Sequence, residues 1–115
     1  MKRVKIIMFL LLLVAPLAVC AQADKAEQYM REAQRYNEQA EQYEREAQRY
    51  NEKANDYTRQ AQKYASEKDY DRSRRYTSWA NDELAKARTR LGWAKEARDK
   101  ARLRMKWAEE AMKKK

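Results

Sequence analysis

Residues 26–39 read AEQYMREAQRYNEQ and residues 40–53 read AEQYEREAQRYNEK, two consecutive blocks that agree at 12 of 14 positions. Alanine returns every seventh residue through them, at Ala26, Ala33, Ala40 and Ala47, with Tyr29, Tyr36, Tyr43 and Tyr50 each three residues later. Residues 54–67 (ANDYTRQAQKYASE) carry the same beat in a diverged copy, with Ala54, Tyr57, Ala61 and Tyr64. Alternating steps of three and four residues keep one narrow stripe on one side of a helix, so the spacing predicts a coiled-coil strand.

A different repeat follows. Trp79, Trp93 and Trp107 stand 14 residues apart and open the units WANDELAKARTRLG, WAKEARDKARLRMK and WAEEAMKKK. Ala80, Ala87, Ala94, Ala101 and Ala108 hold the seven-residue beat, with Leu84, Leu91, Arg98, Met105 and Met112 four residues after each. This predicts a second strand with a wider apolar face. The two phases do not join: Ala61 and Ala80 are 19 residues apart, which is not the insertion of three or four that a continuous coiled coil absorbs. Between them Ser66 and Asp69 are candidate helix caps. The stretch YASEKDYDRSRRYTSWA resembles the inter-helix turn of tetratricopeptide-type hairpins, without their usual glycine.

The expected fold is all-α: a long antiparallel two-helix hairpin with helix 1 over residues 24–67, a turn at 68–70 and helix 2 over 71–115. Nearly equal helix lengths leave no unpaired end, which favours the hairpin over one continuous helix that dimerises. The tyrosines of helix 1 should lie over the alanines of helix 2, and Leu84, Leu91, Met105 and Met112 over the alanines of helix 1, large against small. Gly92 reads as a tolerated glycine within helix 2, with a kink or a close approach as the alternative.

Residues 1–23 read as a cleaved signal peptide. Lys2, Arg3 and Lys5 make a positive start, residues 6–14 are an apolar run too short to span a bilayer, and Pro16 precedes small residues. Ala21-Gln22-Ala23 offers cleavage before Asp24, and cuts after Cys20 or Ala21 also fit. Leu17-Ala18-Val19-Cys20 resembles a bacterial lipobox at its first two positions, which makes Cys20 a candidate lipidation site; valine before the cysteine departs from that pattern. Cys20 is the only cysteine, so no disulfide within the chain can form.

The chain of 115 residues carries +9. Residues 24–67 sum to −2 and residues 68–115 to +8, a basic second helix beside an acidic first one. With no histidine, one cysteine and one glycine, the sequence lacks the commonest general base, a thiol nucleophile beyond residue 20 and a phosphate-cradling loop. It is therefore read as non-enzymatic, with no cofactor and no metal site. Five acid-first i,i+4 pairs, Glu27/Arg31, Glu41/Arg45, Asp82/Lys86, Glu96/Lys100 and Glu109/Lys113, are expected on solvated faces, and the close of the chain in lysine suits a helix C-terminus.

Trp79, Trp93 and Trp107 are the candidate interaction stripe for another helix, a membrane interface or a glycan; the competing reading folds the indoles over the hairpin edge to cover the seam. Arg88, Arg90, Lys95, Arg98, Lys100, Arg102, Arg104 and Lys106 form a basic face. Export argues against nucleic acid as its partner. It leaves self-association or another helical protein first, then an anionic envelope polymer or lipid surface, with no transmembrane helix in the mature chain. The leading expectation is a structural or protein-interaction hairpin of the bacterial periplasm or extracellular space. Alanine spacing, the lipobox-like stretch and the terminal lysine also resemble the alanine-zipper outer-membrane lipoproteins, which implies an envelope-anchored spacer, outer-membrane associated if Cys20 is acylated. The third reading is a cationic amphipathic effector acting on membranes or polyanions through helix 2.

Overall fold

A computed structural model describes the backbone of residues 2–113 and the side chains of residues 24–113. The expected signal peptide, with Cys20, and the last two lysines lie outside the described side chains. The fold is all-helical. Two long helices, α1 (Lys2–Ser66) and α2 (Tyr70–Lys113), pack against each other.

Contacts group the chain into two compact units, Asn37–Arg98 and a second made of Met1–Tyr36 with Asp99–Lys115. The unit 37–98 contains the turn. Lys68 adopts a left-handed backbone with φ 64°. Its N–H donates to the Ala65 carbonyl at 3.0 Å, and the Asp69 N–H donates to the Tyr64 carbonyl at 2.8 Å. These two bonds make a Schellman closure, which satisfies carbonyls that the end of α1 would otherwise leave open. Asp69 then starts α2: its Oδ1 accepts from the Arg72 N–H at 3.3 Å, the third-position N-cap bond. Lysine at the left-handed position bears a steric cost that glycine would not. Lys68→Gly is accordingly expected to raise stability by about 0.5 to 1 kcal/mol, read as a higher thermal midpoint with unchanged helicity.

The core of this unit is built of alanine. Ala40, Ala47, Ala54 and Ala61 of α1 and Ala80, Ala87, Ala94 and Ala97 of α2 are buried, and Ala40 is 0% exposed. Ala40, Ala94 and Ala97 form one cluster, on which Tyr43 packs. Near the turn the Ser73 hydroxyl donates to the Ala61 carbonyl at 2.9 Å, a tie from α2 to α1 that small side chains make reachable. The other unit repeats the pattern with Ala26, Ala33, Ala101 and Ala108 buried.

Two expectations need correction. Leu91, Met105 and Met112 do not sit over the alanines of α1 but are exposed, and Leu84 is only half-buried. The inward positions lie three residues after each alanine, where Glu83, Arg90, Ala97, Arg104 and Ala111 stand buried or half-buried. The physical reason is partner chemistry: α1 offers carboxylates and rings on that side, so amphipathic arginines settle there with their charges matched. Of the five expected i,i+4 pairs, only Glu27/Arg31 forms among the described residues, at 3.4 Å. Lys86 pairs with Glu83 instead, and Lys86 and Lys100 are drawn over tyrosine rings of α1. Around Gly92 there is open space where a side chain would begin, so it marks no close approach.

Candidate functional site

Each of the three tryptophans meets a tyrosine of α1. In the unit 37–98, Trp93 lies against Tyr43 with ring centroids 5.5 Å apart and planes at 67°. Trp79 lies against Tyr57 at 5.9 Å and Tyr76 at 5.1 Å. In the other unit, Trp107 meets Tyr29 at 5.6 Å and 67°. Edge-on contacts of this kind place the positive rim of one ring on the negative face of another. Each indole still keeps a wet side, with Trp79 46%, Trp93 42% and Trp107 36% exposed.

Beside two of these pairs stands an arginine three residues before the tryptophan. The Arg90 guanidinium lies 4.3 Å from the Trp93 ring centre and 5.8 Å from that of Tyr50, and its Nε is 2.7 Å from Glu46 Oε2, although off the line of a good hydrogen bond. Arg104 does the same in its own unit, 4.3 Å from Trp107 and 5.6 Å from Tyr36, with Nε donating to Glu32 Oε2 at 2.7 Å. Lys86 over Tyr50 and Lys100 over Tyr36, both at 5.8 Å, complete each set. Every member of one set is offset by 14 residues from its counterpart in the other. The tyrosines of α1 therefore alternate: Tyr29, Tyr43 and Tyr57 receive an indole, while Tyr36, Tyr50 and Tyr64 receive cations, Arg72 covering Tyr64 at 5.4 Å. That alternation is the physical content of the 14-residue period.

The third set departs from the other two. Tyr76 replaces the arginine and stacks on Tyr64 at 5.4 Å, and Gln60 stands where Glu32 and Glu46 stand in the others. Glu83 occupies the seam position held by Ala97 and Ala111 in the other copies. It is 9% exposed; Oε1 accepts from Lys86 at 3.3 Å, and Oε2 meets no donor among the described residues. Tyr57, Trp79, Asp82, Glu83 and Lys86 line an open surface groove of about 310 Å³ there.

No protein-family model, curated protein or solved structure matches the chain. Among the described residues no three potential metal ligands converge, and no helical segment is long and apolar enough to cross a membrane.

The expected basic face is partly consumed within the fold. Arg90, Arg98 and Arg104 pair across to Glu46, Glu44 and Glu32, at 2.7, 2.8 and 2.7 Å. Arg102 pairs with Asp99 at 2.6 Å, and Lys100 covers Tyr36. Arg88, Lys95 and Lys106 are exposed. The candidate stripe Trp79, Trp93 and Trp107 is thus half committed to α1 and half open. Sequence reasoning missed the role of Glu83, Arg90 and Arg104. The signal was present as an Arg-x-x-Trp spacing at residues 90–93 and 104–107, matched by glutamates at 32 and 46 and broken at Tyr76 and Gln60.

Proposed function

We propose that this chain is an exported, non-enzymatic structural or protein-interaction protein, an antiparallel coiled-coil hairpin of the bacterial periplasm or extracellular space that associates with copies of itself. Lys2, Arg3 and Lys5, the apolar run after them and Ala21-Gln22-Ala23 support export. The observation that carries the interaction role is the apolar flank left outside the alanine seam. Leu91 in one unit, and Met105 and Met112 in the other, are exposed. Leu91, Met105 and Met112 keep a seven-residue phase with Leu84 and Arg98, a spacing that suits a further helix.

A second copy is the favoured occupant because it brings the same phase in its own helices. Burial of a half-exposed leucine or methionine contributes about 1 kcal/mol, so a few of them sustain only a weak, concentration-dependent complex against the cost of association. Sedimentation equilibrium should show mass rising with concentration, and Leu91→Gln with Met105→Gln should shift the protein towards monomer with helicity kept. A monomer at every concentration would refute self-association. Intact-mass measurement of the N-terminus separates this reading from the anchored spacer: a free Ala21, Gln22 or Asp24 fits secretion, and an acylated Cys20 fits anchoring. The pairing of Arg90, Arg98, Arg102 and Arg104 with carboxylates speaks against a cationic membrane effector.

A further inference from the structure

Tyr76 stands where the repeat carries Arg90 and Arg104, 14 and 28 residues further on. The exchange replaces a cation with a phenol and sets it against another phenol on the opposite helix. Tyr76 of α2 stacks on Tyr64 of α1 with ring centroids 5.4 Å apart and planes only 14° from parallel. Among the described residues the other ring pairs are tilted or edge-on, with planes at 43° to 81°. Tyr76 also touches Tyr57 at 6.1 Å and Trp79 at 5.1 Å. An oxidising equivalent that lands on any of these four rings therefore has a contact path to Tyr76. Both stacked phenols are half-buried, so ring edge stays within reach of a small oxidant.

We infer that Tyr64 and Tyr76 form an oxidative modification site, at which a haem peroxidase with hydrogen peroxide joins the two rings as a dityrosine. Each phenol gives up one electron and its hydroxyl proton. The two phenoxyl radicals form a carbon–carbon bond between ring carbons ortho to the oxygens, and the hydrogens on those carbons then move to the oxygens and restore both phenols. The pair loses two hydrogen atoms, and one peroxide is reduced to two waters. Rings already held in contact react within the chain far faster than rings that must meet between molecules. Tyr64 is the preferred partner over Tyr57, which stands farther from Tyr76 and is tilted by 43° to it. Cys20 is the only cysteine, so no disulfide can tie α1 to α2; a bond between residues 64 and 76 would close the turn and constrain the unfolded chain as a disulfide does. Nothing in this inference depends on self-association.

The test treats dilute protein, as recovered from the expressing cell, with a haem peroxidase and hydrogen peroxide, and then digests it with trypsin. Cleavage after Lys63, Lys68, Arg75 and Lys86 puts the two rings in separate peptides, 64–68 and 76–86, while Tyr57 and Tyr70 fall in two others. The chief cross-link should join 64–68 to 76–86, with a mass two hydrogen atoms below the sum and the blue fluorescence of dityrosine. Tyr70 is the built-in control, because at 60% exposed it is the ring that unguided oxidation would favour. Tyr64→Phe and Tyr76→Phe keep a ring in the stack, so helicity stays unchanged, and each lowers the yield of cross-link within the chain at least tenfold. Tyr70→Phe leaves that yield within twofold. Cross-links that run mainly through Tyr70 or Tyr57, products formed chiefly between molecules, or a yield that Tyr76→Phe does not lower would overturn the inference.

Discussion

Replacing Ala40 with aspartate is expected to lower stability by roughly 3 to 5 kcal/mol, a large share of what a small fold has. Ala40 is 0% exposed and packs on Ala94, Ala97 and Tyr43, with no cation in that cluster. A carboxylate there would be desolvated with nothing to pair with, or would have to push the two helices apart and lose the contacts of its neighbours. In a urea melt the midpoint should fall by about 1 M or more. Gln39→Asp, one residue away on an exposed position, is the control and should stay within about 0.5 kcal/mol. Ala40→Leu separates the two causes: overpacking alone costs about 1 to 3 kcal/mol, so leucine should be harmful but less so than aspartate. A leucine that stabilised the protein would mean that the backbones stand farther apart than an alanine seam requires.

Trp93→Ala is the second large effect, expected at about 2 to 3 kcal/mol. The change removes the edge contact with Tyr43, about 0.5 to 1.5 kcal/mol, and the Arg90 guanidinium contact, about 0.5 to 1 kcal/mol. Burial of the covered part of the indole adds the rest. Because Arg90 also leans on Glu46 and Tyr50, its loss of the indole should show as coupling: Arg90→Ala with Trp93→Ala should be less damaging than the two single changes added together. Strict additivity in denaturant melts would mean that the arginine and the indole do not act as a unit.

What the chain discloses in advance is the part governed by spacing. Ala26 to Ala61 and Ala80 to Ala108 could be read from their seven-residue beat, and they are the residues that the two packed helices bury. The inward partners on α2 were harder to see, because apolarity and burial part company there. Leu91, Met105 and Met112 are the most apolar residues near the seam, yet Arg90 and Arg104 take the inward place. An arginine is drawn inward only when a carboxylate and a ring wait for it on another helix, and that information lies 40 to 72 residues away, in Glu46 with Tyr50 and Glu32 with Tyr36. A hydrophobicity pattern is local and does not contain it. Glu83 was concealed for a related reason: beside Asp82 it looks like one more solvated charge, and only the fold places it on the seam. Lys68 shows the same limit at the turn, where lysine does what glycine usually does because Asp69 can start the next helix at once.

The most direct test of the pairing is a nuclear Overhauser measurement between tryptophan and tyrosine ring protons in solution. Cross-peaks should join Trp93 to Tyr43 and Trp107 to Tyr29, arising within single molecules in a mixed labelled sample. Cross-peaks from Trp93 to Tyr36 or Tyr50 instead, one heptad out of place, or cross-peaks seen only between molecules, would contradict it.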